Sequence, residues 1–235
     1  MAVYDPVAEE YSKVFDDIRL RRFERPWLEK TIAALRPRSL LDLGCGNGYL
    51  TEALGPLVPD LYAVEPSVPM FEIARRRFEK ISSQPPALYN APAENLPFAS
   101  HFFDAVVSLL SFRYMDWGKS LEEIHRVLKP QGTFVLVDLF AACFNPFYIG
   151  AYFKTWAGIR LQYAGNRGYS KRLKELSQNR NWQKMVSEHP KRELDAAKQA
   201  IEAKFSITAE KLLSAGLRGK VIGLLCVKKD GGVQV

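Results

Sequence analysis

Cysteine is scarce and odd in number: Cys45, Cys143 and Cys226 are the whole complement of a 235-residue chain, and they lie far apart. That excludes a disulfide framework and a cysteine zinc site, and it suits a reducing cytoplasm. The three histidines, His101, His125 and His189, form no His/Cys/Asp spacing that would hold a metal, so none is expected. No stretch of about 18 uncharged apolar residues occurs, which argues against a transmembrane helix. Residues 1–10 carry two Glu and one Asp but no basic stretch leading into an apolar run, so they do not read as a secretory signal. Internal repeats and low-complexity tracts are absent as well.

What is present is the composition of a soluble globular chain, 47% hydrophobic and 25% charged, long enough for one α/β domain with an insertion. The net charge of +7 is local. Residues 151–205 hold twelve Lys or Arg against five Asp or Glu, while the rest of the chain holds twenty-one of each. Such a segment could face an acidic substrate, a phosphate-rich partner or an anionic membrane, or be a solvated helical face.

Apolar runs alternate with helical patterns. Residues 4–35 read as helical, with Pro26 in the first turn of a helix over 26–35. Short strands are expected at 39–43, 61–65, 87–90, 103–108 and 133–139, with helices over 49–57, 70–81 and 121–128 between them. This rhythm implies βαβ units and a parallel sheet. An aromatic stretch over 140–163 follows, with Phe140, Phe144, Phe147, Tyr148, Tyr152, Phe153, Trp156 and Tyr163, and then basic helical patterns over 171–185 and 191–204. The end of the chain is read as two antiparallel strands, 205–212 and 220–228, in preference to a helix over 208–215. The expected architecture is a doubly wound, mainly parallel seven-stranded α/β sheet. Its parts are a helical cap (1–38), a core (39–139), a helical insertion after strand five (140–204) and a closing strand pair (205–229).

The chemistry concentrates where the first strand meets Asp42-Leu43-Gly44-Cys45-Gly46-Asn47-Gly48. Glycines there permit positive φ and let a ligand lie against backbone, and the helix start beyond offers free N–H groups. Glu65, at the end of the next strand, can accept both hydroxyls of a ribose. The loop reads Gly-x-Gly-x-Gly rather than the dinucleotide Gly-x-Gly-x-x-Gly. Asp42 would repel a pyrophosphate but can receive an ammonium group. S-adenosylmethionine, with an ammonium and a sulfonium and no phosphate, therefore suits the loop better than NAD.

These residues resemble motif I of class I S-adenosylmethionine-dependent methyltransferases, and the similarity runs over roughly residues 4–139. Val64-Glu65-Pro66-Ser67 with Met70, Ala93-Glu94-Asn95-Leu96-Pro97-Phe98, Phe102-Phe103-Asp104 and Glu123-Ile124-His125-Arg126-Val127-Leu128-Lys129-Pro130 resemble successive motifs of the ubiquinone/menaquinone-type and related small-molecule enzymes. Tyr4-Asp5 and Tyr11 are similar to the family's N-terminal helix over the cofactor. The resemblance implies that Asp42, Gly44 and Gly46, within a loop including Cys45, Asn47 and Gly48, hold the methionine end. It implies ribose binding by Glu65, with Pro66, Ser67 and Met70 beside the adenine. Ala93 and Glu94 would lie at the adenine edge, and Ser108 and Leu109 near the sulfonium. Pro92 stands where members often have Asp, which removes an adenine amino contact, and Pro130-Gln131-Gly132 replaces Pro-Gly-Gly.

Methyl transfer from a sulfonium is an in-line displacement that needs orientation and dryness more than a base, so no catalytic residue is assigned. Arg113, Asp138, Tyr152 and Trp156 are the candidate acceptor contacts. The aromatics of the insertion could wall an apolar pocket or form the core of a helical lid. The expected function is methyl transfer to a small apolar or acidic acceptor in the cytoplasm, with peripheral contact to an anionic membrane as one reading of the basic segment. RNA is disfavoured, since no RNA-binding motif accompanies the charge. A cofactor-binding partner protein without methyl transfer is the alternative from another class.

Overall fold

The computed structural model describes residues 2–15, 21–81, 84–141, 146, 149–165, 167–216 and 219–229, and not the side chains of 162–167. Cys143, and from the aromatic stretch Phe144, Phe147, Tyr148 and the Tyr163 side chain, therefore lie outside the described residues.

A seven-stranded sheet runs in the order β3-β2-β1-β4-β5-β7-β6. Its strands are β1 (Ser39–Leu43), β2 (Asp60–Val64), β3 (Ala87–Tyr89), β4 (Phe103–Leu109), β5 (Leu128–Phe140), β6 (Phe205–Gly216) and β7 (Gly219–Lys228). The first five are parallel to one another, and β7 pairs antiparallel with both β5 and β6. The doubly wound sheet and the closing strand pair match the expectation. The helices are α1 (Ala8–Val14), α2 (Glu24–Leu35), α3 (Tyr49–Leu54), α4 (Val68–Phe78), α5 (Trp117–Val127), α6 (Ile149–Gly165), α7 (Arg167–Gln178), α8 (Arg180–Glu188) and α9 (Leu194–Glu202).

Strand alternation divides the core. Leu41, Leu43, Val106, Phe134 and Leu136 face α5 and α9 through Leu121, Ile124, Ala197 and Ile201. Leu40, Val107, Val135 and Val137 face the other way, onto Leu28 and Ile32 of α2 and Leu50 and Leu54 of α3. Both faces of each central strand are thus buried, which is why those strands read as unbroken apolar runs.

Several boundaries differ from the sequence reading. The helix expected over 49–57 is only six residues long before it tightens into a 3-10 turn at Gly55–Leu57, where Pro56 removes a donor. The basic pattern over 171–185 is two helices, broken where Asn179 caps α8 by accepting the N–H groups of Asn181 and Trp182 at 2.9 and 3.1 Å. Strand five begins at Leu128 rather than Thr133, and within it Gln131 holds the left-handed φ of 61° that the usual glycine would supply. Of the insertion, α7 packs on α1, with Val14, Tyr169 and Leu176 in one small core.

Candidate functional site

The carboxyl ends of β1, β2 and β4 open onto a cavity of about 230 Å³. Ligands of open α/β sheets bind at this end, where the strand order departs in both directions from β1. The wall includes Tyr4, Tyr11, Gly44, Gly46, Tyr49, Glu65, Met70, Pro92, Leu110, Ser111 and Tyr114.

Glu65 is the hinge of the site. Only 6% exposed, its carboxylate accepts the Gly46 N–H at 2.8 Å with one oxygen and the Ser67 N–H at 2.9 Å with the other. Ser67 in turn caps α4 by accepting the Met70 N–H. Burial raises Glu65 to about 7 against the pull of those two N–H donors. Asp42 lies behind the loop, 1% exposed, and accepts the Thr51 hydroxyl at 2.6 Å. Burial raises it too, to about 7, and the Thr51 bond holds it down only partly. A positive charge nearby would favour the ionised form of either carboxylate.

The glycines act differently from one another. A Cβ on Gly46, at φ +58°, would meet nothing within 4 Å, so a ligand can lie directly on this backbone. At Gly48, φ +79°, a Cβ would stand 2.7 Å from the Phe78 ring, so this glycine serves the packing of α4. Cys45 is a buried thiol pushed up by desolvation and by Asp42 and Glu65, and it is no nucleophile.

Tyr11, Gly44, Cys45, Gly46, Glu65, Pro66, Ser67, Met70, Ala93, Glu94 and Leu109 all reach the cavity wall. Asp42, Asn47, Gly48 and Ser108 do not. Asn47 instead donates to the Phe15 carbonyl at 2.6 Å, fastening the loop to the end of α1, and the Ser108 hydroxyl lies 2.8 Å from that of Ser111. Glu94 turns its carboxylate outward to the Asp116 N–H at 2.8 Å and the Ser120 hydroxyl at 3.3 Å. Glu123 and Arg126 pin the same loop, taking the Leu96 N–H at 2.7 Å and giving to the Phe98 carbonyl at 2.6 Å.

Of the candidate acceptor contacts, Arg113, Asp138, Tyr152 and Trp156 are all absent from the wall. Asp138, raised to about 6 by burial against Arg113, accepts the Arg113 and Leu139 N–H groups at 2.9 and 2.7 Å. Trp156 is 54% exposed on the outside of the molecule. Phe153 is exposed as well, so these insertion aromatics neither wall a pocket nor fill a lid core.

Three features were not legible in the sequence. Arg21 donates to the hydroxyls of Tyr49 and Tyr11 at 3.3 and 3.2 Å, setting a cation behind two wall residues. Leu110 holds a φ of 57°, a strained conformation for a side-chain-bearing residue, at the wall where β4 ends. The 3-10 turn at Phe112–Tyr114 then brings in Tyr114, whose oxygen accepts from Arg113 Nη2 at 2.6 Å and from the Tyr4 hydroxyl at 3.2 Å. With both lone pairs engaged, the Tyr114 proton is left to donate elsewhere. Burial pushes the phenols of Tyr4 and Tyr114 above their ordinary value, so both keep their protons. Behind them stands α8, with the Trp182 ring 6.0 Å from Tyr11 and the ring of His189, the residue that ends α8, 5.4 Å from Tyr114.

Residues 41–136 match the family described as Methyltransferase domain. The chain is 38% identical over 117 residues to an uncharacterised methyltransferase of Bacillus subtilis, covering 49% of each. It is 33% identical over 145 residues to a 2-phytyl-1,4-naphthoquinone methyltransferase of Nostoc punctiforme, covering 58% of this chain and 63% of that one. The matched part thus spans about half to under two thirds of these relatives' length. In fold it is similar to geranyl diphosphate C-methyltransferase from Streptomyces coelicolor, solved with Mg2+, geranyl diphosphate and S-adenosyl-L-homocysteine. That likeness has a TM-score of 0.55 at 16% identity, over 82% of this chain and 73% of that one. Strand order, glycine loop and family match agree in one likeness: residues 41–136 are similar to the methyltransferase domain, and the fold around them is similar to that of class I methyltransferases.

Proposed function

We propose that the chain transfers a methyl group from S-adenosylmethionine to a small, largely apolar organic acceptor that carries an oxygen function. The observation that carries this is the pairing of the open Gly46 backbone with the buried Glu65 carboxylate on one cavity wall. Glu65 would take the ribose hydroxyls, Met70 and Pro66 would flank the adenine, and the backbone of Ala93 and Glu94 would meet its edge. Tyr11 and Tyr49, backed by Arg21, would receive the carboxylate of the methionine end. Asp42 would act through the loop rather than by contact.

When bound, the cofactor would supply an electrophilic methyl carried on a sulfonium. The protein's part is to align the acceptor's nucleophilic atom with it and exclude water. Tyr114 would donate its proton in a hydrogen bond to the acceptor oxygen and hold the ring or enol in line. Trp182 of α8 and His189 at its end would back the rings of Tyr11 and Tyr114. The naphthoquinone methyltransferase among the relatives supports an apolar aromatic acceptor.

The test is calorimetry followed by turnover. S-adenosylmethionine and its demethylated product should bind in the micromolar range, roughly the scale of metabolite sites. Labelled cofactor should then pass its methyl to a demethylated quinol or phenol. Binding of NAD without S-adenosylmethionine would sink the reading. Pro92, on the wall where an acid is usual, favours a second reading in which the cofactor binds but no methyl moves. Tight binding with no transfer to any acceptor tried would support it.

A further inference from the structure

Helix α6 offers apolar side chains in the direction where soluble helices put polar ones. Its inner face is fixed by two contacts. The Thr155 hydroxyl accepts the Ala215 N–H of β6 at 3.1 Å. The Gly158 carbonyl accepts from Arg22 at 3.0 Å, and its missing Cβ leaves the room that the Phe23 ring fills. At 100° per residue, positions 149, 153, 156 and 160 point the opposite way. Ile149, Phe153 and Trp156 there are 65%, 68% and 54% exposed, and Ile159 and Leu161 widen the patch. The rings of Phe153 and Trp156 lie 5.9 Å apart, with the Arg160 guanidinium 5.2 Å over the indole. A contiguous outward apolar stripe marks an interaction surface.

Charge selects the occupant. From residue 139 to residue 174 the chain carries six Lys or Arg and not one Asp or Glu. On α6 itself, Lys154 and Arg160 are both exposed. An apolar stripe with aromatic and basic residues and no carboxylate fits a surface that is oily beneath and anionic above. With 17 residues α6 is about 25 Å long, short of the bilayer core, and no described helix is long and apolar enough to cross a membrane. We propose that α6 lies in the plane of an anionic lipid surface. Ile149, Phe153 and Trp156 enter the acyl boundary, while Lys154 and Arg160 extend back to the phosphates.

The placement serves the site. Ala215, which holds α6, pairs with Lys220, and Lys220 pairs with Phe140 at the carboxyl end of β5, the sheet end where the cavity opens. An apolar acceptor dissolved in lipid would reach the protein at that end. The docking itself requires no methyl transfer, so its test is independent of the acceptor.

Sedimentation with sucrose-loaded vesicles decides it. Vesicles of phosphatidylcholine containing about one-third phosphatidylglycerol should carry the full chain down, and phosphatidylcholine alone should not. Phe153→Glu combined with Trp156→Glu should lower the partition by about tenfold or more, and Lys154→Gln with Arg160→Gln severalfold. Circular dichroism and cofactor affinity should stay unchanged, because these side chains face solvent. Tryptophan emission should shift to the blue on vesicle binding, and Trp156→Phe should remove the shift. A wild-type chain that stays in the supernatant, or Glu variants that bind as well as it does, would overturn the proposal. A concentration-dependent dimer abolished by the Glu variants would also overturn it, since a second copy would then cover the face.

Discussion

Glu65 reaches from the end of β2 to the N–H of Gly46, 2.8 Å away, and so ties the two strand ends that frame the cavity. One carboxylate thereby orders the glycine loop through one oxygen and the start of α4 through the other. A charge-assisted hydrogen bond of this kind contributes about 1.5–3 kcal/mol when buried. The same group is the proposed ribose contact, so loop order and binding are coupled in a single side chain.

Glu65→Gln should therefore weaken S-adenosylmethionine binding by about 1.5–3 kcal/mol, roughly ten- to a hundredfold. One amide oxygen still accepts an N–H, so the fold should persist. Calorimetry and a thermal melt on the same sample separate the two effects. Affinity within twofold of wild type would remove Glu65 from the binding role.

Gly48→Ala should destabilise the protein without touching the ligand wall. The new Cβ would collide with Phe78 and hold a left-handed φ of 79°. Strain of that kind costs about 1–3 kcal/mol, and a domain of this size loses about 2–4 °C per kcal/mol. A melting temperature equal to wild type would mean that α4 moves aside at no cost.

Asp42, Glu65 and Asp138 are raised to about 7, 7 and 6 by burial. Unfolded carboxyls titrate near about 4, so the folded protein binds these protons more tightly. Their stabilising contribution is complete below about pH 4 and is lost as pH rises through about 6–7. The melting temperature of the ligand-free protein should fall by several degrees between about pH 5.5 and about pH 8, and Asp42→Asn should flatten the slope. Affinity for the cationic cofactor should move the other way, tightening as the carboxylates ionise. Calorimetry at neutral pH in buffers of different ionisation heat should show proton release on binding. A stability rising with pH across this window would contradict the burial argument.

Tyr114→Phe should lower turnover about tenfold or more, the loss of one hydrogen bond to a reacting oxygen, while cofactor affinity stays within twofold. Arg113 and Tyr4 would keep their places, so the cavity wall should remain. If turnover is unchanged, the acceptor does not use this hydroxyl.

The strand pattern, the glycine loop and the place of Glu65 at the end of the second strand were legible in the sequence, because each is local, whereas the bond from Gly46 to Glu65 was not. Buried parallel strands show as short apolar runs, and a strand-to-helix turn shows as Gly44, Gly46 and Gly48. Residues that meet the ligand end through long-range packing left no such mark. Arg21 reaches Tyr49 only once α2 and α3 share a face of the sheet, and Tyr114 reaches Tyr4 across 110 positions. Asp42 carried the family's signature yet sits behind the loop, because a strand residue one pleat earlier points into the core rather than into the cavity. The insertion shows the same division. Its aromatics and its basic excess could be counted in the sequence, but a helix that is apolar on two sides does not reveal which side meets β6. Thr155 and Gly158 decided that, by the hydrogen bonds they make to Ala215 and Arg22, and left Phe153 and Trp156 facing outward.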